Sequence, residues 1–212
     1  MRDDAIVLAT RSPGKLRELR ALFGAAGLRV VDLAEAGVAE APAEDAVEAF
    51  GSFEENAGAK ARYFHERTGG RPVVADDSGL SVAALGGRPG VRSKRWSERN
   101  DLTGTALDDA NNAKLLEALR GSGDRRARYV CAAVYVDGER TLCCRGEVAG
   151  EILEEPRGAG GFGYDPLFWS PELGETFGEA TQERKARVSH RGRAFGALLR
   201  ELSELREVSE PG

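Results

Sequence analysis

The sequence predicts an α/β fold built on a mixed sheet, and three observations carry that prediction. Short apolar runs at residues 5–9 (AIVLA), 28–33 and 73–80 are separated by stretches with helical periodicity, the pattern of buried strands joined by helices. Residues 129–136 and 140–148 are β-rich and meet at Asp137-Gly138, a strong hairpin signal that adds antiparallel strands. At 212 residues the chain suits one large domain or two small lobes, and it can bury a real core without staples.

In chain order, the first strand runs into Thr10, Arg11, Ser12, Pro13, Gly14 and Lys15, and then into LRELRALF. Ser12 suits the cap and Pro13 the first position of a helix whose Leu16, Leu19 and Phe23 share one face. After the second strand comes an acidic, alanine-rich connection at 35–49 with no firm period, which contains Glu48. Ser52 and Glu55 have capping-box spacing ahead of a helix that turns Ala57, Ala61 and Phe64 inward and carries Lys60 near its middle. Residues 73–80, VVADDSGL, read as a buried strand that delivers Asp76 and Asp77 into a turn at its carboxyl end. A Gly- and Pro-rich loop with a basic tip occupies 85–96. A helix at 105–120 follows, with Leu107, Leu115, Leu116 and Leu119 apolar and Gly121 as its stop. Beyond the hairpin, glycines crowd residues 158–169 (GAGGFGYDPLFW), and Ser189 suits the cap of a final helix with Phe195, Leu198, Leu199, Leu202 and Leu205 on one face. Residues 1–207 make one domain in this reading, with 208–212 a frayed tail.

Composition narrows the class. A formal net charge of -5 argues against broad binding to a nucleic-acid backbone, which needs a clustered positive surface. Cys131, Cys143 and Cys144 form no zinc spacing, and their odd number argues against a secreted disulfide framework. The start, MRDDAIVLATR, has acids where a signal peptide has bases, and no apolar run approaches membrane-spanning length. A soluble, cytoplasmic protein with no membrane partner is the expectation.

Four stretches carry candidate chemistry. Adjacent strand residues point to opposite faces, so Asp76 and Asp77 can divide a metal or water between them and their neighbours, although Asp-Asp-Ser-Gly also suits a plain turn. The amides opening the first helix, with Thr10 and Lys15 beside them, suit a phosphate group, although no G-x-x-x-x-G-K-[ST] is present and a capped first helix explains the same residues. The glycine loop does not open a helix, which excludes a dinucleotide fingerprint, and its Phe162 suits stacking on a planar base as well as burial in a core. Residues 184–193 (RKARVSHRGR) are the one dense basic run and place His190 and Arg191 at a helix start, where a solvated charge run is the plainer reading. Lys60, usually solvated in such a helix, and Glu48, usually a surface acid, do not stand out on their own. Together the parts suit a nucleoside triphosphate with magnesium.

The motifs LATRSPGKLREL, FEENAGAKA, ADDSGL, LGGRPGVRS, GGFGYDPLF and SHRGRA, in that order over nearly the whole chain, resemble the inosine/xanthosine triphosphate pyrophosphatases of the Ham1-like family. The resemblance implies an elongated α/β fold of two lobes around a long mixed sheet, a nucleotide cleft between the lobes, and a homodimer. It implies magnesium-dependent hydrolysis of non-standard purine nucleoside triphosphates (ITP, dITP, XTP) to the monophosphate and pyrophosphate. On matching positions, Asp77 resembles the general base and metal ligand, with Asp76 and Glu48 completing the metal environment and Glu44 or Asp45 the alternative upstream acid. Ser78, Lys60 and the turn of Thr10, Arg11, Ser12, Pro13, Gly14 and Lys15 resemble the triphosphate contacts. Phe162, Gly163, Tyr164 and Asp165, with Lys185, His190 and Arg191, resemble the base-recognition set. The chain departs from the family's frequent T-G-N run, with Arg11 and Ser12 in place of Gly and Asn, and Ser12 lacks the reach of an amide. Two alternatives stand beside this one. A Maf-like pyrophosphatase would prefer pyrimidine or modified nucleotides, and a nucleotide-binding module would have lost catalysis.

Overall fold

The computed structural model describes residues 5–209, with side chains at all of these except 45 and 206–209. Seven strands form one sheet in the order β2-β1-β3-β4-β5-β6-β7. These are β1 (Ile6–Leu8), β2 (Val30–Asp32), β3 (Val73–Val82), β4 (Arg126–Val136), β5 (Thr141–Ile152), β6 (Phe168–Ser170) and β7 (Glu175–Thr176). Strand β1 pairs parallel to β2 and β3, whereas β6 pairs antiparallel to β5 and β7, so the sheet is mixed. Among the described residues five α-helices accompany the sheet: α1 (Pro13–Ala25), α2 (Phe53–Arg67), α3 (Gly104–Ala118), α4 (Gln182–Val188) and α5 (His190–Ser209).

Local chemistry sets the helix starts. Ser12 and Ser52 have extended backbones, and their hydroxyls accept from the amides of Lys15 and Glu55, satisfying donors that a helix start leaves open. Thr181 does the same for α4, a short helix inside the basic run. Ser189, read from the sequence as the cap of the last helix, closes α4 and immediately precedes α5.

The chain divides into two compact units. The first comprises the residues up to Asp77, Cys131–Gly146 and everything from Arg191 onward, and its core packs Leu8, Leu19, Phe23, Val74, Phe195 and Leu198. The second comprises Ser78–Val130 and Glu147–His190, and its core packs Leu80, Val82, Leu115, Leu119, Phe168 and Phe177.

One further sequence expectation changes. Strand β3 does not end in a turn at Asp76 and Asp77; it runs straight through both acids, Ser78 and Gly79 to Val82. The turn preference of Asp-Asp-Ser-Gly is local, and it yields here because each acid meets a fixed partner on its own side of the strand. The tail expected from residue 208 is helical at 208 and 209, as part of α5, and residues 210–212 lie outside the described residues.

Candidate active site

In the first unit, α1, α2, α5 and the middle of β3 converge on Asp76 and Asp77. Alternation along β3 sends the two carboxylates to opposite sides, and their surroundings differ accordingly. Asp76 is 1% exposed. Its Oδ2 lies 2.9 Å from Lys15 Nζ of α1 and receives Nη2 and Nε of Arg191, from the first turn of α5, at 3.3 and 3.4 Å. Arg191 Nη1 in turn donates to Glu18 at 2.6 Å. On the other side, Asn56 of α2 donates through Nδ2 to Asp77 Oδ2 at 3.0 Å, while its Oδ1 accepts from the amide of Phe50 at 2.9 Å. Lys60, one helical turn beyond Asn56, ion-pairs with Glu48 and donates to the main-chain carbonyl of Asp76 at 2.9 Å. The lysine that reads as solvated in the sequence is therefore held against the acids.

These surroundings separate the two carboxyls electrostatically. Burial works against ionisation of Asp76, but the Lys15, Arg191 and Lys60 charges outweigh it and hold the carboxyl well below the usual carboxylate range. Asp77 is pushed up to about 6, chiefly by burial, with Glu48 adding to the rise and Lys15, Lys60 and the Asn56 hydrogen bond opposing it. Burial also penalises the Glu48 charge, and Lys60 more than compensates. One neighbour is a fixed anion and the other is poised near neutrality.

The turn that opens α1 runs from Thr10 to Lys15. Gly14 is buried, Pro13 exposed, and Thr10 Oγ1 accepts from the amide of Ser12 at 3.2 Å. Arg11 turns away to Glu44, with Nε–Oε2 and Nη2–Oε1 both at 2.7 Å, and to the carbonyl of Val38. Glu44 is thereby engaged by Arg11 and Glu48 by Lys60, and the side chain of Asp45 lies outside the described residues. Among the described residues no three His, Cys, Asp or Glu side chains are grouped to hold a metal by themselves.

The second unit assembles an aromatic and basic set. Asp165 accepts from the amide of Phe162 at 2.8 Å and from Lys185 Nζ at 2.6 Å, both on Oδ2. Lys185 Nζ then sits 4.9 Å from the centre of the half-buried Phe162 ring. Gly161 has φ +74, and a side chain there would collide with the Asp165 carboxylate, so only glycine fits. Tyr164 is buried and donates to the carbonyl of Ser93 at 2.8 Å. His190 stacks on Tyr129, with ring centres 4.5 Å apart and planes 8° from parallel. Ser78, the first residue of this unit, is half-buried on β3. Arg191, which the resemblance groups with the base set, directs Nη1 to Glu18 and Nη2 to Asp76.

Comparisons with known proteins place the chain in a family. The sequence profile of the Ham1 family matches residues 6–201. The chain belongs to the Ham1 family. A dITP/XTP pyrophosphatase of Burkholderia pseudomallei is 48% identical over 204 residues, which is 95% of this chain and 94% of that protein. Among solved structures, a HAM1 protein from Coxiella burnetii superposes with a TM-score of 0.80 at 38% identity, covering 94% of this chain and 98% of that one. A nucleoside-triphosphatase (dITP/XTP pyrophosphatase) from Mycobacterium abscessus gives 0.68 at 40% identity, covering 93% and 99%. Three residues of this geometry escape a reading of the sequence: Asn56 and Glu18, which lie within the motifs, and Tyr129, which lies outside them. Asn56 left a faint signal, as an amide on the inward side of a helix next to Ala57. Glu18 and Tyr129 left none, because their partners lie 173 residues away at Arg191 and far along the chain at His190.

Proposed function

We propose that this Ham1-family protein is a hydrolase that converts non-standard purine nucleoside triphosphates, those of inosine, deoxyinosine and xanthosine, to the monophosphate and pyrophosphate. The observation that carries the reading is the split between the two neighbouring acids. Asp76 is a permanent anion locked by Lys15 and Arg191, and Asp77 is a carboxyl whose affinity for a proton suits a general base near neutral pH.

A divalent cation fits the donor set. Glu48 and Asp77 are hard oxygen donors whose like charges raise Asp77, an unfavourable field that a cation relieves. Magnesium is commonly held by one or two carboxylates together with substrate phosphates, and Asp77 and Glu48 supply the carboxylates. Asp77 and Glu48 are the residues that would hold it, Asp76 being committed to Lys15 and Arg191 on the other side of β3, and when bound it supplies positive charge to the phosphate oxygens.

The chain's own groups divide the remaining work. Asp77 orients a water and takes its proton as the water oxygen bonds to the α-phosphorus. The bond from that phosphorus to the bridging oxygen breaks, and pyrophosphate leaves. Lys15, Lys60, the amides opening α1, Thr10, Ser12 and Ser78 stabilise the charge that builds on the phosphates. Arg11, engaged by Glu44, shapes this turn. Phe162 stacks on the base, within a loop fixed by Gly163, Tyr164 and Asp165. Lys185, His190 and Arg191 bring hydrogen-bond donors to a base that carries a carbonyl at C6. Adenine presents an amino donor there, and two facing donors leave a buried group unpaired, which discriminates strongly.

Magnesium as the metal, a homodimeric assembly and a cytoplasmic location belong to the same proposal. Among the described residues no helix is long and apolar enough to cross a membrane. The test is a panel of purine and pyrimidine triphosphates with magnesium, scoring pyrophosphate against orthophosphate. Pyrophosphate from inosine and xanthosine triphosphates, well ahead of the adenosine and pyrimidine nucleotides, is expected. A pyrimidine preference, or orthophosphate as the product, contradicts the proposal.

A further inference from the structure

The loop that carries Phe162 is rich in glycine, and glycine backbones are the most costly to order. Asp165 fixes it from one side by accepting the Phe162 amide at 2.8 Å. A second hold comes from α3, a helix that none of the sequence motifs includes. Asp108 Oδ2 accepts from the amide of Gly163 at 2.8 Å, and Asn112 Nδ2 donates to the carbonyl of the same residue at 3.0 Å. Asp108 and Asn112 are four residues apart on a helix, hence on one face, and together they occupy both polar groups of one residue in the loop. Gly163 has φ +63, a conformation that favours glycine. All of these residues belong to the second unit.

The geometry points to Asp108 and Asn112 as positioning residues for base recognition: by gripping Gly163 from α3 they fix the Phe162 ring where a purine stacks on it. Neither side chain takes part in the chemistry at phosphorus. The inference rests on the reading of Phe162 as the stacking surface, and it adds a helix to the parts that determine affinity for the base. Asp108 supplies an acceptor and Asn112 a donor, so the two changes are separable.

The experiment compares Asp108→Ala, Asn112→Ala, Asp108→Asn and Phe162→Ala in steady-state hydrolysis of inosine triphosphate with magnesium. Inorganic tripolyphosphate, which has phosphates and no base, serves as a competitive inhibitor, and circular dichroism checks folding. Loss of one hydrogen bond to the loop should raise KM for inosine triphosphate by about 3- to 10-fold in each alanine variant, with kcat within about twofold. Tripolyphosphate inhibition should be unchanged, and Asp108→Asn, which keeps an acceptor oxygen, should restore KM to near that of the parent protein. If Phe162→Ala raises KM and the two clamp variants do not, the positioning role is wrong while the stacking reading stands. If Phe162→Ala itself leaves KM unchanged, the stacking reading fails and the inference falls with it. Equal weakening of tripolyphosphate and inosine triphosphate would mean general loosening and would also overturn the inference. Should Asp108→Ala fail to fold, Asn112→Ala at its half-buried position decides the question by the same KM and inhibition criteria.

Discussion

Replacing each of the two neighbouring acids by its amide should separate stability from catalysis in opposite directions. Asp76 is buried, with Lys15 at 2.9 Å and Arg191 at 3.3 Å, and both cations are themselves largely out of water, at 16% and 3% side-chain exposure. Asp76→Asn removes the charge that compensates them, and breaking a buried ion pair on one side costs about 3–5 kcal/mol. Glu18 still neutralises part of Arg191, which places the cost near the lower end, about 3 kcal/mol. At roughly 2–4 °C per kcal/mol for a chain of this size, Tm should fall by about 6–12 °C. Asp77→Asn keeps an oxygen that can accept from Asn56 and removes a charge that burial and Glu48 already disfavour. Its stability should therefore change by less than about 1 kcal/mol. Its rate of pyrophosphate release from inosine triphosphate should fall by about 10²–10⁴, the usual worth of a positioned general base. Thermal unfolding followed by circular dichroism, alongside a pyrophosphate-release assay, reads both quantities. An Asp76→Asn protein as stable as the parent, or an Asp77→Asn protein with near-normal turnover, refutes the division of roles.

Three further outcomes are expected. Lys185→Ala should narrow the ratio of inosine to adenosine triphosphate hydrolysis more than it lowers the overall rate, and an unchanged ratio removes Lys185 from base recognition. Arg11→Ala breaks a partly exposed pair with Glu44 and should cost no more than about 1 kcal/mol in a melting experiment. It should leave KM within about threefold, since the loss of one charge-assisted contact to a phosphate would raise it about tenfold or more, and such a rise would put Arg11 on the triphosphate. Chelating divalent cations should abolish turnover, and restoring magnesium should return it. Full activity after exhaustive chelation would remove the metal from the mechanism.

How much of this was legible in the sequence depended on range. The caps at Ser12 and Ser52 and the Asp137-Gly138 hairpin are decided within a few residues, and the structure forms all three where the sequence places them. The path of β3 was not legible, because Asp-Asp-Ser-Gly looks like a turn until Lys15, Arg191 and Asn56 arrive from three different helices. The resemblance in ordered motifs named most of the candidate site, yet it is silent on mutual placement. Lys60 reads as a solvated helix residue until Glu48 and the Asp76 carbonyl meet it. Arg191, named for the base, also pairs with Asp76. Asp108 and Asn112 sit in a helix whose sequence shows only a sparse apolar face, and their hold on Gly163 spans 55 and 51 residues, beyond any local pattern.

Hydrolysis of inosine triphosphate in ¹⁸O-water, in a mixture with an equal amount of adenosine triphosphate, tests the central claim most directly. Attack at the α-phosphorus assisted by Asp77 predicts label in inosine monophosphate, unlabelled pyrophosphate, and adenosine triphosphate largely intact. Label in pyrophosphate or orthophosphate, or equal consumption of the two nucleotides, would contradict it.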